Sequence, residues 1–326
     1  MIPPAQRWKI YALGGGLGHL QRSLALGRAA ASRGHSIHIL TNSRFASHIP
    51  WQKELGAKGN LTAIPSTLKR EDTIEITTNW IEQIDYDRLV VDTFPRGLGG
   101  ELANILPIID RPRILVHRNL NQDYVENYSL EKALGHFDRI ILPGETAPFA
   151  NNKRSRMTEP WLIRDADELV DAELARLSLG MNPSDQRPLM IVCSSGLSGE
   201  EEASLHLKDQ LSGHLDHWCV KLTSPIPEKG DLDPWPLLSL MNGIDALVGS
   251  GGYNTVNEAR ATGTPLFAKP LPRMYDRQTA RLREIERFEN FEQLLPRIPK
   301  CRPPFVSNNY INGTQLGVDL IEKVED

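Results

Sequence analysis

The chain has 326 residues, of which 40% are hydrophobic and 24% charged, and its formal net charge is -4. This length exceeds the about 250 residues at which one hydrophobic core usually stops growing, so we expect a globular protein of two domains. The net charge and a pI near 6.2 lack the basic surface typical of proteins that bind nucleic acid, which we therefore exclude as a partner.

The cysteines and the N-terminal segment indicate in which cellular compartment the protein is expected. Cys193, Cys219 and Cys301 lie far apart, without the two-residue spacing of zinc or redox pairs. The first eight residues lack the charged-then-apolar order of a secretory signal, and no run of about 18 apolar residues occurs. We therefore expect a cytoplasmic protein. The basic cluster at 153–156 is predicted to be a solvated loop, so a membrane surface is left open as a partner but is not indicated.

Short apolar runs alternate with helical segments through the first half of the chain. The pattern predicts a strand at 9–13, a helix at 19–33 that ends at Gly34, and a strand at 36–40. Further strands are predicted at 61–64, 88–91, 113–116 and 139–142. Several of these runs are apolar throughout, which is typical of parallel strands covered on both faces. Ligands bind at the carboxyl ends of such strands.

A change of composition separates this region from a second sheet. Between residues 146 and 187, Pro, Asn and charged residues surround one helical stretch at 166–177, and this predicts a linker. The alternation resumes with a strand at 189–193, a turn at 194–199, a helix to about residue 211 and a strand at 218–222.

The remaining segments complete the predicted domain organisation. The stretch 225–236 is rich in proline and is predicted to be a long loop, and 314–324 has helical apolar spacing. We predict an N-terminal domain over 1–160, a C-terminal domain over 161–304 and a tail helix over 305–326.

The first predicted strand runs into a turn with glycines at positions 14, 15, 16 and 18, followed by His19. His19 stands where the dinucleotide fingerprint has its last glycine, and Asn42 rather than an acid ends the second strand, so a dehydrogenase is not expected. No Gly-Lys-Ser/Thr follows, which excludes a P-loop. The helix start favours the neutral form of His19, which can act as a general base. The alternative is a histidine that only packs at a turn.

A second turn without large side chains follows the apolar run at 246–249. Gly251 and Gly252 precede a predicted helix, whose first backbone N–H groups have no intrahelical partner and can bind phosphate. Asn254 and Glu258 fall one turn apart on one face of that helix. We expect the diphosphate and ribose of a nucleotide to bind there.

With these two motifs the chain resembles the nucleotide-sugar glycosyltransferases of the GT-B type. It is most similar to the branch of the bacterial peptidoglycan N-acetylglucosaminyltransferase and its relatives. The resemblance rests on residues 16–26 and, more specifically, on 251–259, 263–265 and 276–278. It implies an α/β fold of two Rossmann-like domains whose parallel sheets face a cleft.

The resemblance also implies roles for individual residues. The donor-binding set would be Gly251, Gly252, Asn254, Thr255, Glu258, Asp276 and Gln278. Within it, the glycines and Thr255 would cradle the diphosphate and Glu258 would accept from the ribose hydroxyls. Asp276 and Gln278 would hold sugar hydroxyls, although Arg277 separates them where the family often has them adjacent. His19 would be the catalytic base, and Asp92, at the end of the strand at 88–91, would orient it.

Further candidates for a phosphate or acceptor loop lie at the ends of other predicted strands. They are Gly16, Gly18, Ser195, Gly196 and Arg118. The turn at 194–199 replaces a more glycine-rich loop of the family. For Arg118, ordinary loop polarity remains an alternative.

No metal site is predicted. The acid pairs at 85 and 87, 165 and 167, and 231 and 233 do not follow long apolar strands, and oxygen-coordinated metals need more ligands. The resemblance implies no metal or other cofactor, because the nucleotide sugar is a co-substrate.

The predicted function is transfer of a hexose with inversion from a nucleotide diphosphate, UDP in our interpretation, to a hydroxyl acceptor of unknown identity. Two alternatives stay open. One is a nucleotide-sugar hydrolase or 2-epimerase on the same fold, and the other is a nucleotide-sugar-binding module without turnover.

Overall fold

A computed structural model describes residues 4–83, 85–300 and 309–325. These residues form two compact units. The first comprises the chain up to Ile163, Met274–Asp276 and the chain from Asn312, and the second comprises Arg164–Arg273 and Arg277–Ile311. Cys301 and the predicted boundary at residue 304 lie outside the described residues.

The first unit contains a seven-stranded sheet in which all neighbouring strands are parallel. Its strands are β1 (Arg7–Ala12), β2 (Ser36–Thr41), β3 (Gly59–Ala63), β4 (Arg88–Asp92), β5 (Arg113–Val116), β6 (Arg139–Pro143) and β7 (Ser155–Thr158). Their order is β3-β2-β1-β4-β5-β6-β7, so the direction of strand progression reverses between β1 and β4. Such a switch point is where open parallel sheets bind ligands.

Five helices connect these strands: α1 (Leu17–Ser32), α2 (Trp51–Leu55), α3 (Arg70–Gln83), α4 (Gln122–Asn127) and α5 (Leu130–Leu134). The end of α1 agrees with the prediction. Gly34 has a φ of 94° and donates its N–H to the carbonyl of Ala31. A residue in this left-handed conformation is a common helix terminator, and glycine adopts it without a steric cost.

The predicted linker over 146–187 is wrong in part, because β7 lies inside it as the edge strand of the sheet. The strand is polar and mostly exposed, so it lacks the apolar run by which the other strands were predicted. The predicted helix at 166–177 is also wrong in part. The structure has a short 3₁₀ helix at Ala166–Glu168 and then α6 (Ala172–Ser178). Asp171 sets the start of α6 by accepting a hydrogen bond from the N–H of Glu173.

The second unit contains a four-stranded parallel sheet in the order β11-β10-β8-β9. Its strands are β8 (Leu189–Cys193), β9 (Cys219–Thr223), β10 (Ala246–Gly249) and β11 (Leu266–Ala268), and its further helices are α7 (Glu200–His214), α8 (Tyr253–Thr262), α9 (Gln278–Arg281) and α10 (Phe291–Leu294). The predicted second sheet is thereby confirmed. The predicted loop at 225–236 contains one short 3₁₀ helix, Pro227–Lys229.

The tail helix, α11 (Thr314–Glu322), belongs to the first unit and packs against α1. Its Glu322 carboxylate contacts His35 Nε2 at 2.7 Å and Arg33 Nη1 at 3.0 Å. The C-terminal segment therefore completes the unit that the N-terminal segment begins.

Both sheets are apolar on their buried faces. In the first unit Val90, Leu115 and Ile141 are fully buried, and in the second Met190 and Val248 are as well. This agrees with the prediction of parallel strands covered on both sides. Within the described ranges, no helix combines the length and the apolar character needed to cross a membrane.

Candidate functional site

The fold brings His19 and Asp92 together at the switch point of the first sheet. The chain leaves β1 and enters α1, which places His19 in the first helical turn, and Asp92 is the last residue of the neighbouring β4. His19 Nδ1 lies 2.6 Å from Asp92 Oδ2. An ionised carboxylate only accepts hydrogen bonds, so Nδ1 carries a proton, and in the neutral imidazole Nε2 is the proton acceptor. The two predicted catalytic residues therefore have the geometry of a base and its orienting acid.

Arg22 fixes the charge state of Asp92. Its Nε and Nη2 donate to the two carboxylate oxygens of Asp92, each at 2.7 Å, and both side chains are buried. Burial raises the pKa of Asp92, but the Arg22 charge and the hydrogen bonds from His19 and Arg22 outweigh it and hold this pKa well below its usual range. Asp92 is therefore a carboxylate at neutral pH.

The sequence analysis assigned no role to Arg22. The spacing along the helix could have indicated one, because Arg22 follows His19 by three residues and so lies on the same side of α1.

The loop after β4 holds the imidazole as well as the carboxylate. Thr93 has a φ of 69°, which is strained for a residue with a branched side chain, and its Oγ1 accepts from Arg22 Nη2 at 2.9 Å. The next residue, Phe94, stacks on His19 with ring centroids 5.4 Å apart. Thr93 was assigned no role from sequence.

The glycines of the first turn differ in what they do. A Cβ atom at Gly14 would overlap the His19 imidazole, so this position must be glycine for the ring to lie there. The N–H groups of Gly14 and Gly15 donate to Asn42 Oδ1 at 2.7 and 2.8 Å, a contact that the sequence analysis missed. At the predicted loop residues Gly16 and Gly18, an added Cβ would have no atom within 4 Å. These two positions leave room for a ligand.

The start of α8 has the open backbone that phosphate binding requires. A Cβ at Gly252 would meet only Ser250 Oγ, at 3.8 Å, whereas at Gly251 it would meet Gln278 Cβ and Leu282 Cδ1 at 3.1 Å. Gly251 thus permits α9 to pack closely, and Gly252 leaves the helix start accessible.

The other predicted donor residues of α8 follow within two turns. Asn254 and Thr255 are half-buried and Glu258 is 6% exposed. A helix start of this kind favours an anion, because its first N–H groups lack intrahelical acceptors and carry partial positive charge.

The predicted phosphate loop after β8 is engaged by the protein itself. The Ser195 hydroxyl donates to Glu200, and Arg273 Nη2 donates to Glu200 Oε2 at 2.7 Å. Burial raises the pKa of Glu200, but the hydrogen bonds from Arg273 and Ser195 and the Arg273 charge lower it overall. Gly196 has a φ of 68° and follows directly. A mostly apolar cavity of about 270 Å³ lies beside this loop and reaches Ser250.

The two residues predicted to hold sugar hydroxyls lie in different units. Asp276 belongs to the first unit, where Arg118 Nη2 is 3.7 Å from its carboxylate and Arg118 Nε also contacts Glu145. Gln278 belongs to the second unit, and its Oε1 accepts from the N–H of Leu271 at 2.8 Å. The donor role of both residues and the acceptor role of Arg118 stay predictions.

Comparison with known proteins bears on the fold. No protein-family model and no curated protein matches the chain. Among solved structures, Acinetobacter baumannii MurG is 15% identical and matches with a TM-score of 0.53 over 98% of this chain and 100% of that chain. A glycosyltransferase from Rickettsia africae ESF-5 is 12% identical, with a TM-score of 0.55 over 98% of this chain and 91% of that chain. Arabidopsis thaliana UGT89C1 complexed with quercetin is 10% identical, with a TM-score of 0.56 over 98% of this chain and 90% of that chain. The chain therefore has the GT-B fold of these proteins, with one seven-stranded and one four-stranded parallel sheet.

Proposed function

We propose that this protein transfers a sugar from a nucleotide diphosphate donor, UDP-linked, to a hydroxyl acceptor with inversion at the anomeric carbon. The observation that carries the proposal is the 2.6 Å contact between His19 Nδ1 and Asp92, which leaves Nε2 as a base. Further support comes from the fold, which a glycosyltransferase from Rickettsia africae shares.

In the proposed reaction, His19 Nε2 removes the proton of the acceptor hydroxyl as its oxygen attacks the anomeric carbon. Attack from the face opposite to the leaving diphosphate breaks the glycosyl–phosphate bond and inverts the configuration. Asp92 stabilises the imidazolium that forms, and the proton then passes to water. General base catalysis of this kind contributes about 10²- to 10⁴-fold to the rate.

The diphosphate leaves as an anion, so its negative charge must be stabilised. The N–H groups at the start of α8 are the proposed donors, because Gly252 keeps that helix start open and the helix dipole favours negative charge there. This arrangement requires no metal ion. We also propose a cytoplasmic location, which the free thiols of Cys193 and Cys219 support.

Nucleotide binding is tested by thermal shift with a panel of nucleoside diphosphates. A ligand that binds only the native state raises the melting temperature, by an amount that grows with its concentration relative to Kd. We expect UDP to give the largest shift and Gly252→Leu to abolish it, because the new side chain would occupy the open helix start. Gly213→Leu is the matched control, since an added Cβ there meets no atom within 4 Å and Gly213 lies in α7, away from this helix start.

Turnover is tested by incubating the protein with UDP-sugars and a panel of hydroxyl acceptors, with and without EDTA. A glycoside of inverted anomeric configuration, formed at the same rate in EDTA, is the expected product. Stoichiometric free sugar or an epimer from the donor alone would instead indicate a hydrolase or 2-epimerase. Tight UDP binding without any reaction would indicate a binding module.

A further inference from the structure

A second cavity lies in the first unit, between the loop after β4 and helix α5. Its volume is about 350 Å³, which is ample for a phosphate-sized anion. Arg96 from the loop and Lys132 and His136 from the α5 region line it, and no acidic side chain does. In a chain whose net charge is -4, this concentration of basic groups points to a negatively charged occupant.

The basic groups of this cavity are not used in ion pairs. Within the ranges that the structure describes, Arg96, Lys132 and His136 form no salt bridge. By contrast, two arginines elsewhere in the same unit are paired, Arg113 with Asp138 at 3.3 Å and Arg118 with Glu145. The charge in the cavity is therefore available to a ligand.

The Ser129 hydroxyl is a further hydrogen-bond donor at the cavity. Ser129 lines the cavity and has a φ of 48°, a left-handed conformation that costs free energy in a residue with a side chain. Although Ser129 precedes α5, its hydroxyl makes no capping hydrogen bond. Arg96 Nη1 donates to the carbonyl of the preceding Tyr128 at 3.1 Å, which holds the guanidinium close to Ser129.

We propose that this cavity binds a phosphate-type oxyanion through Arg96, Ser129 and Lys132, with His136 as an additional donor. Arginine and lysine form short, charge-assisted hydrogen bonds to phosphate, and the serine hydroxyl adds a neutral one. The site does not depend on the proposed sugar transfer. It does lie on the same loop as the proposed catalytic machinery, because Arg96 follows two residues after Phe94, which stacks on His19. The oxyanion is either a group carried by the acceptor, a source that rests on the proposed transfer, or a free anion that acts on this loop.

The test is a calorimetric titration with inorganic phosphate at constant ionic strength, in the presence of saturating UDP so that a donor site is already filled. We expect one saturable site in the wild type. Loss of a charged donor should weaken binding by about tenfold or more in Lys132→Glu and in Arg96→Gln. Lys53→Glu is the matched control, because Lys53 is exposed on α2 and lies outside the cavity.

Ser129→Gly separates ligand binding from folding. Glycine tolerates the left-handed conformation, so the variant should melt no lower than the wild type and yet bind phosphate more weakly. Absence of saturable binding in the wild type, or equal weakening in Lys53→Glu and Lys132→Glu, would overturn the proposal. If UDP itself does not bind, the titration without UDP gives the same comparison of variants, so failure of the transfer proposal is distinguishable from failure of this one.

A kinetic measurement distinguishes the two sources of the anion. Phosphate that competes with the acceptor in a transfer assay indicates that the acceptor carries the anionic group. Phosphate that changes kcat at saturating acceptor indicates a free anion. In both cases Lys132→Glu should remove the effect and Lys53→Glu should retain it.

Discussion

Arg22 is the single residue on which the candidate catalytic pair most depends. Its guanidinium is the positive charge that compensates the buried carboxylate of Asp92 through two hydrogen bonds. Replacing it by methionine would leave that carboxylate buried and without its bidentate partner. Breaking a buried ion pair in this way typically costs about 3–5 kcal/mol.

We therefore expect Arg22→Met to lower the free energy of unfolding by that amount, measured by urea denaturation at pH 7. Arg22→Lys keeps the charge but loses the bidentate geometry, so its free energy of unfolding should lie between those of the wild type and Arg22→Met. An Arg22→Met protein as stable as the wild type would show that Asp92 does not need this partner.

The burial of Lys9 should make the free energy of unfolding depend on pH. Lys9 is buried in β1, its Nζ donates to the carbonyls of Trp80 and Ile81 at the end of α3, and burial lowers its pKa to about 8. In the unfolded chain the pKa of lysine is about 10.4, so between these values the unfolded state binds more protons than the folded state. The free energy of unfolding should therefore rise as the pH increases from 8 to 10.

The measurement is the difference between the wild type and Lys9→Met in unfolding experiments across this pH range. Between pH 8 and 10, the free energy of unfolding of the wild type should rise by on the order of 1 kcal/mol relative to that of Lys9→Met. Parallel curves for the two proteins would contradict the lowered pKa.

At the scale of the secondary-structure element, the turn between β1 and α1 is built around the imidazole. Gly14→Ala would push a methyl group into the His19 ring, whereas the same change at Gly16 meets no atom within 4 Å. A misplacement of about 1 Å at a catalytic group can cost about 10²-fold in rate. We expect Gly14→Ala to lower kcat by that order with an unchanged far-ultraviolet circular dichroism spectrum. A Gly14→Ala protein with the kcat of the wild type would refute this role of Gly14.

The sequence predicted the buried strands well because their burial on both faces leaves a continuous apolar run. The run at 113–116 matches β5 residue for residue, and the one at 189–193 matches β8. Edge strand β7 was missed because it lacks such a run: it contains the polar residues Ser155, Arg156 and Thr158, and both Arg156 and Met157 are exposed. The start of α6 was also missed, because the Asp171 cap and not the apolar period fixes it.

The candidate site was predictable only where its residues share a local motif. His19 and Gly252 stand in recognisable sequence motifs, and the structure confirms a helix at each: His19 lies in the first turn of α1, and Gly252 directly precedes α8. The contacts of Arg22 with Asp92 and Thr93 join positions that are 70 and 71 residues apart, and no local sequence pattern indicates that they are close in space. Likewise, the packing of Gly251 against Gln278 emerges only from the tertiary structure.

At the scale of the whole molecule, α11 packs against α1 and so joins two distant parts of the sequence within the first unit. Glu322 on α11 contacts Arg33, which directly follows α1, and His35, two residues further along the chain. Neutralising it in Glu322→Gln weakens two largely buried contacts and should cost about 1–3 kcal/mol of unfolding free energy.

Limited proteolysis and thermal unfolding provide the measurement, with Glu75→Gln as the control because Glu75 is exposed on α3. Faster cleavage near the C-terminus is expected only in Glu322→Gln. Identical melting curves for the two variants would mean that this contact contributes nothing to the docking of α11.

The order of the strands explains how such distant residues meet. Placing β4 beside β1 brings the end of β4 next to the start of α1. The solved structures share the fold at identities of only 10–15%. The topology therefore provides the location, and the side chains at His19 and Asp92 provide the chemistry proposed for it.

The most direct measurement is kcat of His19→Ala relative to the wild type with a UDP-sugar and an accepted hydroxyl substrate, together with the UDP-induced thermal shift of both proteins. His217→Ala, at an exposed position in the second unit, is the matched control. We predict a loss of about 10²- to 10⁴-fold in kcat for His19→Ala with an unchanged UDP shift, and wild-type turnover for the control. A His19→Ala protein that turns over at the wild-type rate would contradict the assignment of His19 as the base.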